Sequence, residues 1–167
     1  MILASPCAGF GKINPVHLAQ SWLFKTEPDE FSIDDLAQKS SAVWDGVRNY
    51  TARNYLRDDV QLEDNVFIYH SSCKLIGIAG VATVVRSGYS DPAQFDSASP
   101  YFDAKSTREK PRWYCVDLQL KQRFDQLLPL NQLKKESQLA DMVLLKQPRL
   151  SVQPVSANEY QHILAML

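Results

Sequence analysis

The chain has 167 residues, is 45% hydrophobic and 22% charged, and carries a formal net charge of -1. These values suit one soluble globular domain and are short for two. The near-neutral balance excludes a protein that grips polyanions through overall charge alone, so any nucleic-acid contact needs a local basic face.

Residues 1–20 read as an N-terminal extension outside the functional core. They lack the basic start and long apolar core of a secretory signal. Their GFGK, residues 9–12, lacks the spacing of a phosphate loop. Ser21–Thr26 alternates and is rich in aromatics, which predicts a strand, ended by Pro28. Phe31–Lys39 reads as a helix capped by Ser32, with Asp35 three residues on. Trp44–Arg48 is expected to be a loop, and Asn49 to cap a helix over Tyr50–Arg57 or else to contact a ligand.

Asn65–Ser71 and Leu75–Arg86 read as two strands joined by SSCK as a hairpin. The longest apolar run, within Ile76–Val85, is too short to cross a bilayer and is broken by Gly77 and Gly80, so no membrane role is expected. Ser87–Pro111 holds Pro92, Pro100 and Pro111 and predicts a long irregular connection, the kind that often carries function. In Arg112–Phe124, Val116, Leu118 and Leu120 face one way and Asp117, Gln119 and Lys121 the other, which predicts a strand. Asn131–Leu139 suits a short helix, and Met142–Leu145 a short strand or a helical turn. Leu150–Val155 suits an edge strand, because Pro154 cannot donate to a ladder. Ser156–Leu167 reads as a helix with a Ser156–Glu159 capping box and a stripe of Tyr160, Ile163, Leu164 and Leu167. With no βαβ rhythm, the pattern predicts an α+β domain around a small antiparallel-rich sheet, curved or closed.

Cys7, Cys73 and Cys115 are far apart, odd in number and without C-x-x-C spacing. Neither a zinc site nor a disulfide framework is expected, no metal or other cofactor is called for, and a reducing, cytoplasmic setting is the simplest.

The polar residues gather near predicted strand ends: Lys25, Thr26 and Glu27; Trp44, Asp45 and Arg48; Tyr69, His70 and Ser71; and Trp113. If those ends converge on one rim, tryptophan and tyrosine supply faces, while Lys25, Thr26, Asp45, Asn49 and Ser71 supply hydrogen-bonding edges. That chemistry suits a flat heteroaromatic ring, with Arg48 and Arg53 holding phosphates outside. Lys105, Arg108, Lys110 and Arg112 form a second basic group. Each residue also has an ordinary structural use. Trp44 and Trp113 fit a core, His70 fits a buried structural role, and Ser71 with Ser72 or Asp45 with Gly46 fits a turn. Lys25 beside Glu27 fits a surface ion pair. A catalytic use, with Lys25 activating Thr26 and Glu27 or Asp45 as acid–base, meets the objection that strand neighbours point to opposite faces.

WLFKTEPDEFSIDDL (22–36), WDGVRNYTARNYLRD (44–58), FIYHSSCKLIGIAGVATVV (67–85) and MVLLKQPRLSVQPVS (142–156) closely resemble the EVE domain family. The resemblance covers the chain from Trp22 to its end and leaves residues 21–167 as a single EVE domain. It implies a PUA-like curved β-barrel of about five to six strands with short flanking helices. It also implies non-catalytic capture of a modified base, above all a modified cytosine such as 5-methylcytosine or 5-hydroxymethylcytosine, flipped out of DNA rather than RNA. Carried onto this sequence, the pocket takes Lys25, Thr26, Trp44, Asp45, Val47, Arg48, Asn49, Tyr69, His70 and Ser71. The similar pattern of YTH domains makes Trp44 a cage wall, with Tyr101 and Trp113 as further walls, and leaves Arg53, Lys105, Arg108 and Lys110 for the nucleic-acid backbone. The expected protein is a bacterial, cytoplasmic monomer. Two alternatives remain: a small amidohydrolase acting on a modified nucleoside, by likeness to ASCH domains, and an RNA-binding accessory domain.

Overall fold

The computed structural model describes residues 18–167, so the readings of GFGK and Cys7, and most of the extension over 1–20, lie outside the described residues. Six strands form one sheet: β1 (Ser21–Thr26), β2 (Ala42–Trp44), β3 (Asn65–His70), β4 (Gly77–Ser90), β5 (Tyr114–Pro129) and β6 (Val152–Val155). Their spatial order is β2-β5-β4-β3-β1-β6, and only β1 with β3 is a parallel pair. The fold is therefore a mixed α+β domain around a six-stranded, largely antiparallel sheet, with β2 and β6 as its edges.

Strand periodicity places a core on each face of that sheet. Trp22 and Phe24 of β1 join Val66 and Ile68 of β3 on one face, together with Ile33, Leu36, Trp44, Val47 and Leu56. Leu23, Phe67 and Tyr69 turn to the other face, where Ile78, Leu128, Leu133, Met142, Tyr160 and Ile163 meet them. Both capping boxes form as the sequence predicts. Ser32 and Asp35 close the start of α1 (Ile33–Ala37), and Ser156 and Glu159 close the start of α5 (Ala157–Ala165).

Several boundaries differ from the sequence reading. Residues 42–44 add a strand the sequence does not announce, held by pairing of Ala42 with Leu118 and Trp44 with Val116. The helix expected over Tyr50–Arg57 is α2 (Tyr50–Asn54), whose ladder widens into a π-helical turn over Tyr55–Asp59. The strand expected to stop at Arg86 runs on to Ser90, and the one expected to stop at Phe124 runs on to Pro129. Each continues because the other does: register shifts at several points let the two remain paired along their length. The helix expected over Asn131–Leu139 is α3 (Leu130–Leu133) followed by a 3-10 turn, and Met142–Leu145 resolves to helix, α4 (Val143–Lys146). No helix among the described residues is long and apolar enough to cross a membrane.

Candidate nucleobase cleft

The parallel strands β1 and β3 finish side by side, and their ends meet the end of β2, which runs the opposite way in the sheet, around a cleft of about 600 Å³. Thr26 closes β1, Trp44 closes β2, and Ser71 follows β3, its N–H donating to the Thr26 carbonyl at 2.9 Å. Of the residues the sequence nominates, Lys25, Thr26, Trp44, Asp45, Val47, Arg48, Ser71 and Tyr101 line this cleft. Phe31, Ser72 and the Pro148–Arg149–Ser151 segment line it too.

Trp44 is both core and wall. The residue is only 7% exposed, its ring packs against Phe24 at 5.6 Å and edge-on to Phe31 at 6.0 Å, and it lines the cleft. Gly46 follows with φ +72°, and a Cβ there would meet the Tyr101 ring at 2.7 Å. The glycine thus serves the turn and also lets Tyr101 lie across it as a side wall.

Arg48 and Asp91 fix that arrangement. The fully buried Asp91 carboxylate accepts from Arg48 Nη1 at 2.7 Å and from the Gly46 N–H at 3.1 Å. Arg48 also donates to the Tyr101 carbonyl from Nε at 3.0 Å and from Nη2 at 2.5 Å. Most of its donors are spent inside the protein, where they tie the Trp44 loop to the segment around Tyr101.

Other nominated residues have different partners. Asn49 is a cap, its side chain accepting from the Ala52 N–H at 3.0 Å. His70 is buried, and its Nε2 accepts from the Ile33 N–H at 3.1 Å, satisfying an orphan donor at the start of α1. Desolvation lowers its pKa, against the opposing pull of Asp34, which suits the neutral acceptor. Tyr69 belongs to the core on the opposite face, with its pKa pushed up to about 12 by burial. Trp113 is 6% exposed and lies outside the cleft lining; its indole donates to Asp103 at 2.7 Å and stacks on Tyr50 at 5.1 Å. Arg53 donates to the Arg112 carbonyl at 2.5 Å, and Lys105, Arg108 and Lys110 are exposed on the loop before β5.

Lys25 and Asp45, both lining the cleft, have shifted pKa values. Desolvation lowers the pKa of half-buried Lys25, whose Nζ donates to the Pro148 carbonyl at 2.6 Å and so holds the Pro148–Ser151 wall in place. Asp45 is raised, first by desolvation and then by the charge of Asp91, while its own backbone N–H and Arg48 pull the other way. The Thr26 hydroxyl donates to the Phe31 carbonyl at 2.7 Å. Among the described residues no group of three or more His, Cys, Asp or Glu side chains is placed to hold a metal ion.

Sequence signals for the unforeseen lining residues are weak. Phe31 reads only as part of a helix, and Arg149 and Ser151 only as the approach to an edge strand. They arrive through long-range contacts: Lys25 N–H donates to the Ser151 carbonyl, and Phe31 packs on Trp44.

Comparison with known proteins places this geometry in a group. A family model for the EVE domain matches residues 20–166. Thymocyte nuclear protein 1 of Mus musculus is 41% identical over 169 residues, covering 90% of this chain and 74% of that protein. Among solved structures, a hypothetical protein from Leishmania major is 50% identical with a TM-score of 0.86, covering 89% of this chain and 94% of that one. The human THYN1 protein, solved in complex with 5-methylcytosine-containing DNA, is 38% identical with a TM-score of 0.84, covering 89% and 97%. The chain belongs to the EVE domain family.

Proposed function

We propose that this protein binds a modified cytosine of DNA, without catalysis, by taking the base out of its stack and into the cleft beside Trp44. The observation that carries the reading is the cleft itself: an aromatic wall beside the Asp45 carboxylate, in a chain 38% identical to a protein solved with 5-methylcytosine-containing DNA. A volume of about 600 Å³ lies within the usual range for small-ligand sites. Trp44 and Tyr101 supply faces for stacking, and the Asp45 carboxylate supplies the acceptor that a cytosine exocyclic amine requires. Unstacking the base costs a few kcal/mol, which these contacts offset. Arg53, Lys105, Arg108 and Lys110 meet the phosphates in this reading. Residues 21–167 then act as one cytoplasmic, monomeric EVE domain with its sheet curved in the PUA-like manner.

The test is a titration at fixed salt with oligonucleotides carrying cytosine, 5-methylcytosine or 5-hydroxymethylcytosine, against wild type, Trp44→Ala and Trp44→Phe. Wild type should prefer one modified base, Trp44→Ala should abolish the preference, and Trp44→Phe should stay folded and reduce it. Equal binding of all three bases by folded wild type refutes the reading.

A second reading, hydrolysis of a modified nucleoside, has one observation in its favour: the desolvated Lys25 with its lowered pKa. The hydroxyl it would activate donates instead to the Phe31 carbonyl, and Lys25 itself to Pro148, so binding is the better supported function.

A further inference from the structure

A second aromatic surface lies outside the cleft and is unused by the reading above. Tyr50 opens α2 and is 51% exposed although its ring is stacked on a tryptophan. The Trp113 beneath it is buried and held by Asp103, which also takes Arg112 Nη1 at 2.9 Å. The guanidinium carbons of Arg53 and Arg112 stand 5.0 and 5.7 Å from the Tyr50 ring centre, and Arg112 also bonds the Tyr50 hydroxyl. The result is a Tyr50–Trp113 ladder bordered by two guanidinium groups, each near both rings, that ends at solvent. Arg48 joins it to the cleft: one guanidinium sits 5.3 Å from the Trp113 ring and 5.4 Å from the Tyr101 ring.

We propose that Tyr50, propped by Trp113 and flanked by Arg53 and Arg112, is a second stacking platform that takes an unpaired base next to the one held in the cleft. The inference rests on the base-binding reading and adds to it the form of the ligand, a single-stranded or locally opened strand. Its chemistry is that of sequence-tolerant single-strand binding, where bases add to exposed aromatic and guanidinium planes and nearby cations meet the phosphates. Charge complementarity supports a nucleic-acid occupant: two arginines border the ring against the single carboxylate of Asp103, which pairs with Arg112 and leaves the Arg53 charge over. Continuity with the cleft through Arg48 argues for the same strand at both places. A base in a closed duplex is already stacked and paired, and gains nothing from the ring.

The experiment uses short single-stranded DNA with one central 5-methylcytosine, flanked by thymines or by a single abasic site on either side. Binding to wild type, Tyr50→Ala and Tyr50→Phe is measured by anisotropy, and binding of free 5-methyldeoxycytidine monophosphate by calorimetry. Wild type should lose about tenfold in affinity when the base on one particular side is removed. Tyr50→Ala should show that loss with the intact strand and no further loss with the abasic one. Tyr50→Phe should keep the sensitivity, because it keeps the ring. The monophosphate should bind Tyr50→Ala as it binds wild type. The idea is overturned by wild type that ignores both abasic sites, by Tyr50→Ala that binds the intact strand normally, or by Tyr50→Ala that weakens the monophosphate as much as the strand, which marks a mere prop for the cleft. Failure of the cleft reading looks different: cytosine and 5-methylcytosine then bind alike while the flank effect persists.

Discussion

Trp44 and Trp113 are almost equally buried, at 7% and 6%, yet they stand in opposite relations to the cleft. Trp44 rests on apolar rings, Phe24 and Phe31, and lines the cleft. Trp113 rests under Tyr50, with its indole N–H spent on Asp103 and guanidinium groups around it. Fractional exposure therefore does not separate a wall from a support. What separates them is the use of the ring's faces and its one donor. A ring backed by apolar packing can offer a clean face to a base, whereas one enclosed by arginines and tyrosine passes its stacking on to whatever lies above it.

The largest expected effect comes from removing the tie that both rings share. Arg48→Ala takes away the cation facing the fully buried Asp91 and both bonds to the Tyr101 carbonyl. Asp91 keeps its bonds from the Gly46 and Ala93 N–H groups, so the cost should be about 2–3 kcal/mol, below that of a wholly orphaned buried charge. Urea denaturation gives the number. Preference for a modified base and sensitivity to the flanking base should fall together in the surviving folded protein. A loss below about 0.5 kcal/mol, the level of a surface pair, would mean that the two rings are held independently.

A smaller effect should touch the Trp44 side alone. Gly46→Ala places a methyl group against the outer end of the Tyr101 ring in a backbone held at φ +72°. The ring can swing aside, so the remaining cost is the left-handed backbone, about 1–2 kcal/mol. Thermal denaturation should show that loss, and affinity for the modified base should drop as Tyr101 moves, while the tyrosine ladder keeps its flank sensitivity. Equal loss at both places would show that the Tyr101 segment and the ladder move as one body.

How far the sequence reaches follows the same division between local and distant causes. Both capping boxes and the alternation of β1 are written within a few residues, and they stand where the sequence places them. β2 has only three residues and no readable period; its strand character comes from β5, more than seventy positions away. At the site, the strand-end cluster of Lys25, Thr26, Trp44, Asp45 and Ser71 was legible because aromatic and polar residues crowd at the ends of apolar runs. Trp113 and Tyr69 carry the same local signal, but β5 and β3 direct them elsewhere. Asn49 was open between ligand contact and cap, and its contact is the cap. The far wall at Pro148–Ser151 was illegible, since its placement depends on Lys25, some 120 positions earlier.

The subtlest prediction separates the two sides by pH. Asp45, on the cleft, has its pKa raised, first by desolvation and then by Asp91. Asp103, under Trp113, has its pKa lowered, first by the Lys105 backbone N–H and with help from the Trp113 indole and Arg112. If the ionised Asp45 accepts from the exocyclic amine, affinity for the modified base should weaken on acidification before ordinary aspartates, near pH 3.9, begin to titrate. Folding moves the opposite way for this group: the native state holds its proton more tightly than the unfolded chain, so acidification through the raised value favours the fold, slightly, because Asp45 is exposed. Weaker binding at mildly acidic pH thus cannot be charged to an unfolding Asp45. Asp103 stays ionised over the same range, and its support for Trp113 is lost only as pH falls through its own lowered value, so the flanking-base effect should persist where base preference fades. Asp45→Asn should remove the pH dependence of base preference and lower affinity severalfold at neutral pH. Matching pH profiles for wild type and Asp45→Asn would take the carboxylate out of base recognition, leaving the cleft to read its ligand by stacking and shape.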